Sequence, residues 1–126
     1  MVTDTISDVL ARIQNAITVK KREIVIPNNK ITLAVVDVMK KEDLLDNYNV
    51  TEEGIELSLK YIDNVSVIES LRKISKPGKR MYISYKDIKP VMNGRGISVI
   101  STSQGIMSGA LAKSKKLGGE LICEIW

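Results

Sequence analysis

Ser101, Thr102, Ser103, Gln104 and Gly105 follow an apolar run in VISTSQGIMSG (residues 99–109). Three hydroxyls ahead of a glycine can arm a nucleophile, hold a phosphate or read a nucleic acid. Nucleophilic catalysis needs a base, and the chain has no histidine. None of Ser101, Ser103 or Ser108 stands in the Gly-x-Ser-x-Gly frame of a nucleophile elbow, so only a serine-lysine hydrolase survives among the catalytic readings. Gly94-Arg95-Gly96 is a lone G-x-G with Val99 in place of the third glycine, and no P-loop pattern occurs, which leaves a phosphate-binding module without its usual motif. A hydroxyl both donates and accepts, and this matches a ribose 2′-OH or the edge of an unstacked base. At the end of a strand, alternation sends Ser101 and Ser103 to one side and Thr102 to the other, while Gly105 lets the backbone turn closely past a ligand. The competing reading is a Ser/Thr turn that satisfies its own backbone, and residue types alone leave both open.

The charge around this stretch is segregated. Residues 1–65 carry eight Lys and Arg against eleven Asp and Glu, a net of −3, whereas residues 66–126 carry eleven against four, a net of +7. Most of the positive charge lies in RKISKPGKRMYISYKDIKPVMNGR (Arg72–Arg95) and in Lys113, Lys115 and Lys116. Any single cluster reads as a solvated surface, but a whole half-chain of one sign points to a polyanionic partner. With 126 residues, 44% of them hydrophobic, the chain can bury one modest core or two small adjoining ones. The single Cys123 and the absence of histidine leave neither a disulfide framework nor a zinc spacing, so no cofactor or metal is expected and a reducing compartment fits. MVTDTISDVLARI lacks a basic segment leading an apolar one, and no apolar stretch approaches the ~18 residues of a membrane span; the chain reads as soluble, not exported and not membrane-bound.

The elements that must position these residues form two small α/β units. Ile6, Val9, Leu10, Ile13 and Ile17 recur at helical spacing behind Thr3, Asp4 and Thr5, which can cap a helix start. Glu23–Ile26 reads as a short strand closed by Pro27; Asn28 or Asn29 then caps a second helix with Ile31, Val35, Val38 and Met39 on one face and Lys40 and Lys41 near its end. Ile55, Leu57, Leu59 and Tyr61 alternate with polar residues as a half-buried strand does. The charge balance turns at Asp63 and Asn64, which sets a boundary between an N-terminal αβα domain with a short sheet (1–64) and a C-terminal domain, mostly β with a short helix (65–126). In the second domain the pattern predicts a strand over Val65–Ile74, a turn at Lys76-Pro77-Gly78-Lys79, a strand over Arg80–Tyr85, and a helical turn near Val91 ending at Asn93-Gly94. It then predicts a strand over Ile97–Ser101, a helix over Ser108–Lys116 and a final strand from Gly118-Gly119 to Trp126.

SKPGKRMY (Ser75–Tyr82), NGRGISVISTSQGIM (Asn93–Met107) and GGELICEIW (Gly118–Trp126) resemble the signature blocks of the universal small-subunit ribosomal protein family S-eight, and TDTISDVLARIQNA (Thr3–Ala16) resembles its opening helix. The resemblance covers essentially the whole chain in order. It implies two interacting α/β domains, and a primary rRNA-binding protein that grips an irregular helix in the central domain of small-subunit rRNA and helps organise assembly. Partners implied are that rRNA, neighbouring small-subunit proteins and, in bacteria, the messenger of its own operon; the protein would be a monomer outside a cytoplasmic or organellar ribosome. By the same resemblance Ser101, Thr102, Ser103 and Gly105 form the RNA-reading loop, and Glu120 and Tyr82 support or touch it. Lys79, Arg80 and Lys113 meet phosphate, and Lys30 with the first helix reaches a second stretch of backbone. The chain departs from the family pattern at Met107, Ser108 and Gly109, where Met-Thr and then Asp or Asn is usual. It departs also at Asn29, Lys30, Ile31 and Thr32, which has one lysine fewer than the family's opening of that helix; Lys115 and Lys116 add charge elsewhere.

Overall fold

Ile6, Val9, Leu10 and Ile13 line one side of α1 (Val2–Thr18) and are buried, with Ile17 packed beside them. The computed structural model describes residues 2–126, with side chains from Thr5 onward. Because the helix already runs from Val2, Thr5 lies inside it and does not cap it; the side chains of Thr3 and Asp4 lie outside the described residues. β1 (Glu23–Ile26) follows, and Pro27 ends it. Asn29 is the cap of α2 (Lys30–Lys41): its side chain accepts from Thr32 N at 2.9 Å, and Lys40 and Lys41 stand at the negative end of the helix.

β2 (Leu45–Thr51) and β3 (Gly54–Leu59) form a hairpin, and β1 joins the other edge of β3, giving an antiparallel sheet in the order β1-β3-β2. β3 shows the expected alternation, with Ile55, Leu57 and Leu59 buried. In β2 only Leu45 is buried, so its sequence carries no strand period to read. Asp63 and Asn64, at φ of 52° and 64°, make the tight turn between β4 (Tyr61–Ile62) and β5 (Val65–Ser66).

The strand expected over Val65–Ile74 is two. β5 pairs with β4, β6 (Leu71–Lys73) pairs with the last strand, and the chain changes partners between them. There Ser66 Oγ accepts from Ile68 N at 3.1 Å, and Glu69 N and Ser70 N both donate to Trp126 O at 2.6 and 2.8 Å. The strand expected over Arg80–Tyr85 shrinks to β7 (Tyr82–Ile83), because Ser84 accepts from Lys86 N at 3.4 Å and starts a single 3-10 turn over Tyr85–Asp87. A second such turn, Met92–Gly94, sits where a helical turn was expected.

β8 (Ile97–Thr102), β9 (Gly105–Ser108), α3 (Gly109–Ser114) and β10 (Gly119–Ile125) complete the chain. Ser108 caps α3 instead of belonging to it, accepting from Leu111 N at 3.3 Å, and the helix ends before Lys115 and Lys116. The second sheet is antiparallel, in the order β6-β10-β8-β9, with β7 also on β10. The fold is thus mixed α/β of the α+β kind.

One large apolar cluster holds both sheets. Ile6, Ile13, Val35, Met39, Ile55 and Leu57 share it with Ile68, Val99, Ile122, Cys123 and Ile125, so the core runs across residue 64. A smaller cluster of Ile88, Ile100, Met107 and Ala112 fills the space between the second sheet and α3.

Candidate nucleic-acid interface

β8 and β9 form a hairpin in which Thr102 pairs with Gly105 and only Ser103 and Gln104 lie in the loop. A two-residue loop needs a backbone that turns sharply. Gly105 supplies it, at φ 111°, a conformation that side chains resist. Thr102 closes the turn with its hydroxyl, which donates to Gly105 O at 2.7 Å and accepts from Gln104 N at 3.1 Å. Ser103 has left the ladder, so the strand alternation expected for it stops at Thr102. The self-satisfying turn is therefore the role of Thr102 alone: among the described residues, neither Ser101 nor Ser103 has a hydrogen-bond partner for its hydroxyl.

The ladder then builds a row. Glu120 on β10 stands opposite Ser101 on one side and opposite Tyr82 of β7 on the other, so the three side chains share one face of the sheet. Gly119 permits this approach, since a Cβ there would lie 2.1 Å from Ser101 O. Tyr82 is 73% exposed, and its ring is open to a stacking partner. Glu120 is only 13% exposed and is held firmly: Ser75 Oγ donates to its Oε2, and Arg80 approaches the same oxygen at 3.3 Å.

Ser75 was not among the residues singled out by sequence. It precedes a Lys-Pro-Gly turn and reads as a turn residue, yet it is fully buried, donates to Glu120 and accepts from Met81 N at 3.2 Å. A register shift between Leu121 and Cys123 explains how it gets there. The extra residue, Ile122, turns its carbonyl to Ile74 N and Ser75 N at 3.0 and 3.3 Å, while Leu121 N donates to Met81 O at 2.9 Å. Both stems of the Lys76–Lys79 turn are thereby bolted to β10, and Lys76 and Lys79 bond to each other through their main chains at the exposed tip.

The structure thus gathers Ser101, Thr102, Ser103, Gly105, Glu120, Tyr82, Arg80 and the Lys79 turn around one edge of the second sheet. Arg80 spends part of its guanidinium on Glu120. Lys113 lies apart, on α3, which packs over Ile100 on the opposite face; its Nζ donates to Ile88 O at 2.9 Å. Lys30 is exposed at the first position of α2, in the other half of the chain. The two are linked through packing: α2 rests against β9, and Ile106, opposite Ser101 in the ladder, packs into the main core.

The nucleophile readings gain no support. Ser108 is engaged as a helix cap, and among the described residues no hydrogen bond joins a lysine to Ser101, Ser103 or Ser108. Burial, with the charge of Glu124, pushes the Cys123 thiol up to about 12, so it stays protonated at neutral pH.

The sequence matches the family Ribosomal protein S8 over residues 4–126. The chain belongs to that family. It is 42% identical, over the full length of both chains, to "Small ribosomal subunit protein uS8" of Nitratidesulfovibrio vulgaris strain Miyazaki F. It is 44% identical, again over the full length of both, to "Small ribosomal subunit protein uS8c" of Oltmannsiellopsis viridis, and 43% identical over 98% of both chains to the uS8 protein of Bartonella bacilliformis. Every element of the S8-like fold described above, from the fourth residue onward, falls within the matched span.

Proposed function

We propose that this chain, a structural constituent of the small ribosomal subunit, binds rRNA through the row Tyr82–Glu120–Ser101 and the adjoining hairpin tip. The observation that carries the reading is the pair of free hydroxyls on Ser101 and Ser103, set beside an exposed tyrosine ring and a pinned carboxylate in the basic half of the chain. Each hydroxyl can donate to or accept from a ribose 2′-OH or a base edge. The Tyr82 ring offers a stacking platform, and the fixed carboxylate of Glu120 accepts from an amino or hydroxyl group of the RNA. Lys79 and Arg80 meet phosphate beside this row, Lys113 does so from α3 with its remaining N–H groups, and Lys30 reaches a second stretch of backbone from the start of α2, where main-chain N–H groups also face outward.

The finer reading follows the family resemblance. The RNA is an irregular helix of the central domain, the C-terminal unit (65–126) carries recognition while the N-terminal unit (1–64) adds a backbone contact, and the free protein is a monomer that assists assembly. In a bacterial source it also represses the messenger of its own operon through the same surface.

The test is Ser103→Ala, with Ser101→Ala beside it, in filter-binding titrations against the cognate rRNA fragment at fixed salt. Ser103→Ala should lose ~1 to 3 kcal/mol of binding and Ser101→Ala less, with unfolding curves unchanged. Parental affinity in both would reduce the hairpin to a turn. Lys79→Ala should instead weaken cognate and unrelated RNA alike and flatten the dependence of affinity on salt.

A further inference from the structure

Asn93 is the chain's single asparagine followed by glycine, and it lies in a turn that fits one of its residues poorly. Val91 O accepts from Gly94 N at 3.0 Å across the turn, and both central residues are left-handed, Met92 at φ 48° and Asn93 at φ 56°. That is the mirror-image turn which Gly, Asn and Asp favour. Asn93 suits it. Met92 does not, having neither the freedom of glycine nor a short polar group to bond its own backbone. The bond that closes the turn is also shared, because Val91 O accepts from Gly96 N as well, at 3.1 Å. An exposed single turn held in this way opens locally at small cost.

The asparagine at its centre is exposed and makes no hydrogen bond among the described residues. Other asparagines are tied. Asn64 is left-handed too, at φ 64°, but its Oδ1 accepts from Arg22 Nη2 at 2.8 Å, and Asn29 Oδ1 accepts from Thr32 N at 2.9 Å. Their following residues, Val65 and Lys30, put a side chain beside the amide nitrogen. Gly94 has none, and nothing lies within 4 Å of a Cβ built there. When the turn opens, the Gly94 nitrogen therefore reaches the Asn93 side-chain carbonyl without obstruction.

We propose that Asn93 is a modification site, which deamidates spontaneously to isoaspartate and then accepts a methyl group on its new carboxylate. The Gly94 amide nitrogen, once its proton passes to a buffer base, attacks Asn93 Cγ, and the side-chain nitrogen leaves as ammonia. Water then adds to the main-chain carbonyl of the five-membered imide and breaks its bond to the Gly94 nitrogen. The chain now runs through Cβ and Cγ, one atom longer, and the former main-chain carbonyl carbon bears the free carboxylate. That carboxylate is the nucleophile toward the methyl sulfonium of S-adenosylmethionine on an isoaspartyl methyltransferase, giving a methyl ester and S-adenosylhomocysteine. Gly96 cannot shift to absorb the added atom, since it is pressed against Ile125, whose carbonyl oxygen would lie 2.6 Å from a Cβ there. The strain falls on the turn, which hinders its closing again.

The experiment is incubation of the full folded chain in mildly alkaline buffer, followed by trypsin and mass spectrometry of fragment 87–95, which holds no other asparagine. The fragment should gain an acidic form in two isomeric peaks, of which the larger alone takes labelled methyl from S-adenosylmethionine and the methyltransferase. Asn93 should convert at least tenfold faster than Asn64 or Asn29, and within about tenfold of the free synthetic peptide 87–95. Gly94→Ala should slow it about tenfold. Met92→Gly, which suits the left-handed position and holds the turn closed, should slow the folded chain at least threefold, and a peptide carrying the same change should react like the parent peptide. An Asn93 that stays intact in the folded chain while the free peptide reacts, an Asn64 that converts as fast, or a Met92→Gly chain that reacts at the parental rate would each overturn the proposal. If Gly94→Ala fails to fold, the Met92→Gly arm and the comparison with Asn64 decide.

Discussion

The chain builds the same four-residue turn twice and finishes it in two ways. Thr51-Glu52-Glu53-Gly54 joins β2 to β3, and Thr102-Ser103-Gln104-Gly105 joins β8 to β9. In each, the threonine hydroxyl donates to the glycine carbonyl, at 3.1 and 2.7 Å, and accepts from the N–H two residues on, at 3.3 and 3.1 Å. Each glycine takes a positive φ, 147° in the first turn and 111° in the second. The threonine and glycine are therefore architecture. The turns differ in what stands between these two residues: two carboxylates in the first, which repel phosphate, and a hydroxyl with an amide in the second, which hydrogen-bond without charge. The surroundings differ in the same sense. A Cβ on Gly54 would lie 2.3 Å from Ile26 O, because β1 packs against that end, whereas nothing lies within 4 Å of a Cβ on Gly105, where the hairpin is open to an incoming ligand. The second hairpin also has a neighbouring strand, β10, that carries the pinned carboxylate of Glu120.

Exchanging the tips is the strongest way to break this contrast. Ser103→Glu with Gln104→Glu should cost ~4 kcal/mol of rRNA binding, roughly a thousandfold, because two charges face the phosphates; thermal unfolding should stay parental. Glu52→Ser with Glu53→Gln should leave affinity within about twofold. A chain with the acidic second tip that still binds tightly would move recognition off the hairpin. Next in size, Gly54→Ala should destabilise by ~3 kcal/mol in urea unfolding, since steric overlap adds to the unfavourable φ, against ~1 kcal/mol for Gly105→Ala, where only φ resists. Equal losses would show that the two turns are packed alike. Ser75→Ala should cost ~2 kcal/mol of stability by leaving Met81 N without its acceptor and Glu120 Oε2 with Arg80 as its remaining donor. It should also weaken cognate RNA more than unrelated RNA if the fixed carboxylate contributes to reading. Smallest, Thr51→Val and Thr102→Val should each lose ~1 kcal/mol of stability, and nearly the same amount, because the hydroxyls do the same work in both turns. Chemical denaturation of the pair measures it directly.

Sequence reading recovered what rests on local periodicity and on residue types with one strong preference. The stripe Ile6, Val9, Leu10, Ile13 placed α1, Asn28 or Asn29 marked the start of α2, and the hydroxyl run before Gly105 marked a turn at the end of a strand, though not the strand β9 that follows it. It missed β2, whose single buried residue leaves no alternation, and it fused β5 with β6, because both are extended and only their partners differ.

For this protein, then, the sequence by itself determined the two long helices, the basic second half and the turn at Ser103 and Gln104, since each follows from neighbours a few positions apart. Tertiary structure alone decided that Ser101, Glu120 and Tyr82 form a row, that buried Ser75 holds Glu120 across 45 positions of chain, and that Lys113 looks out from the opposite face. The reason is physical. A ladder pairs residues by register, and the register of β10 changes at a single extra residue, Ile122, whose insertion depends on strands it meets only after the chain has folded.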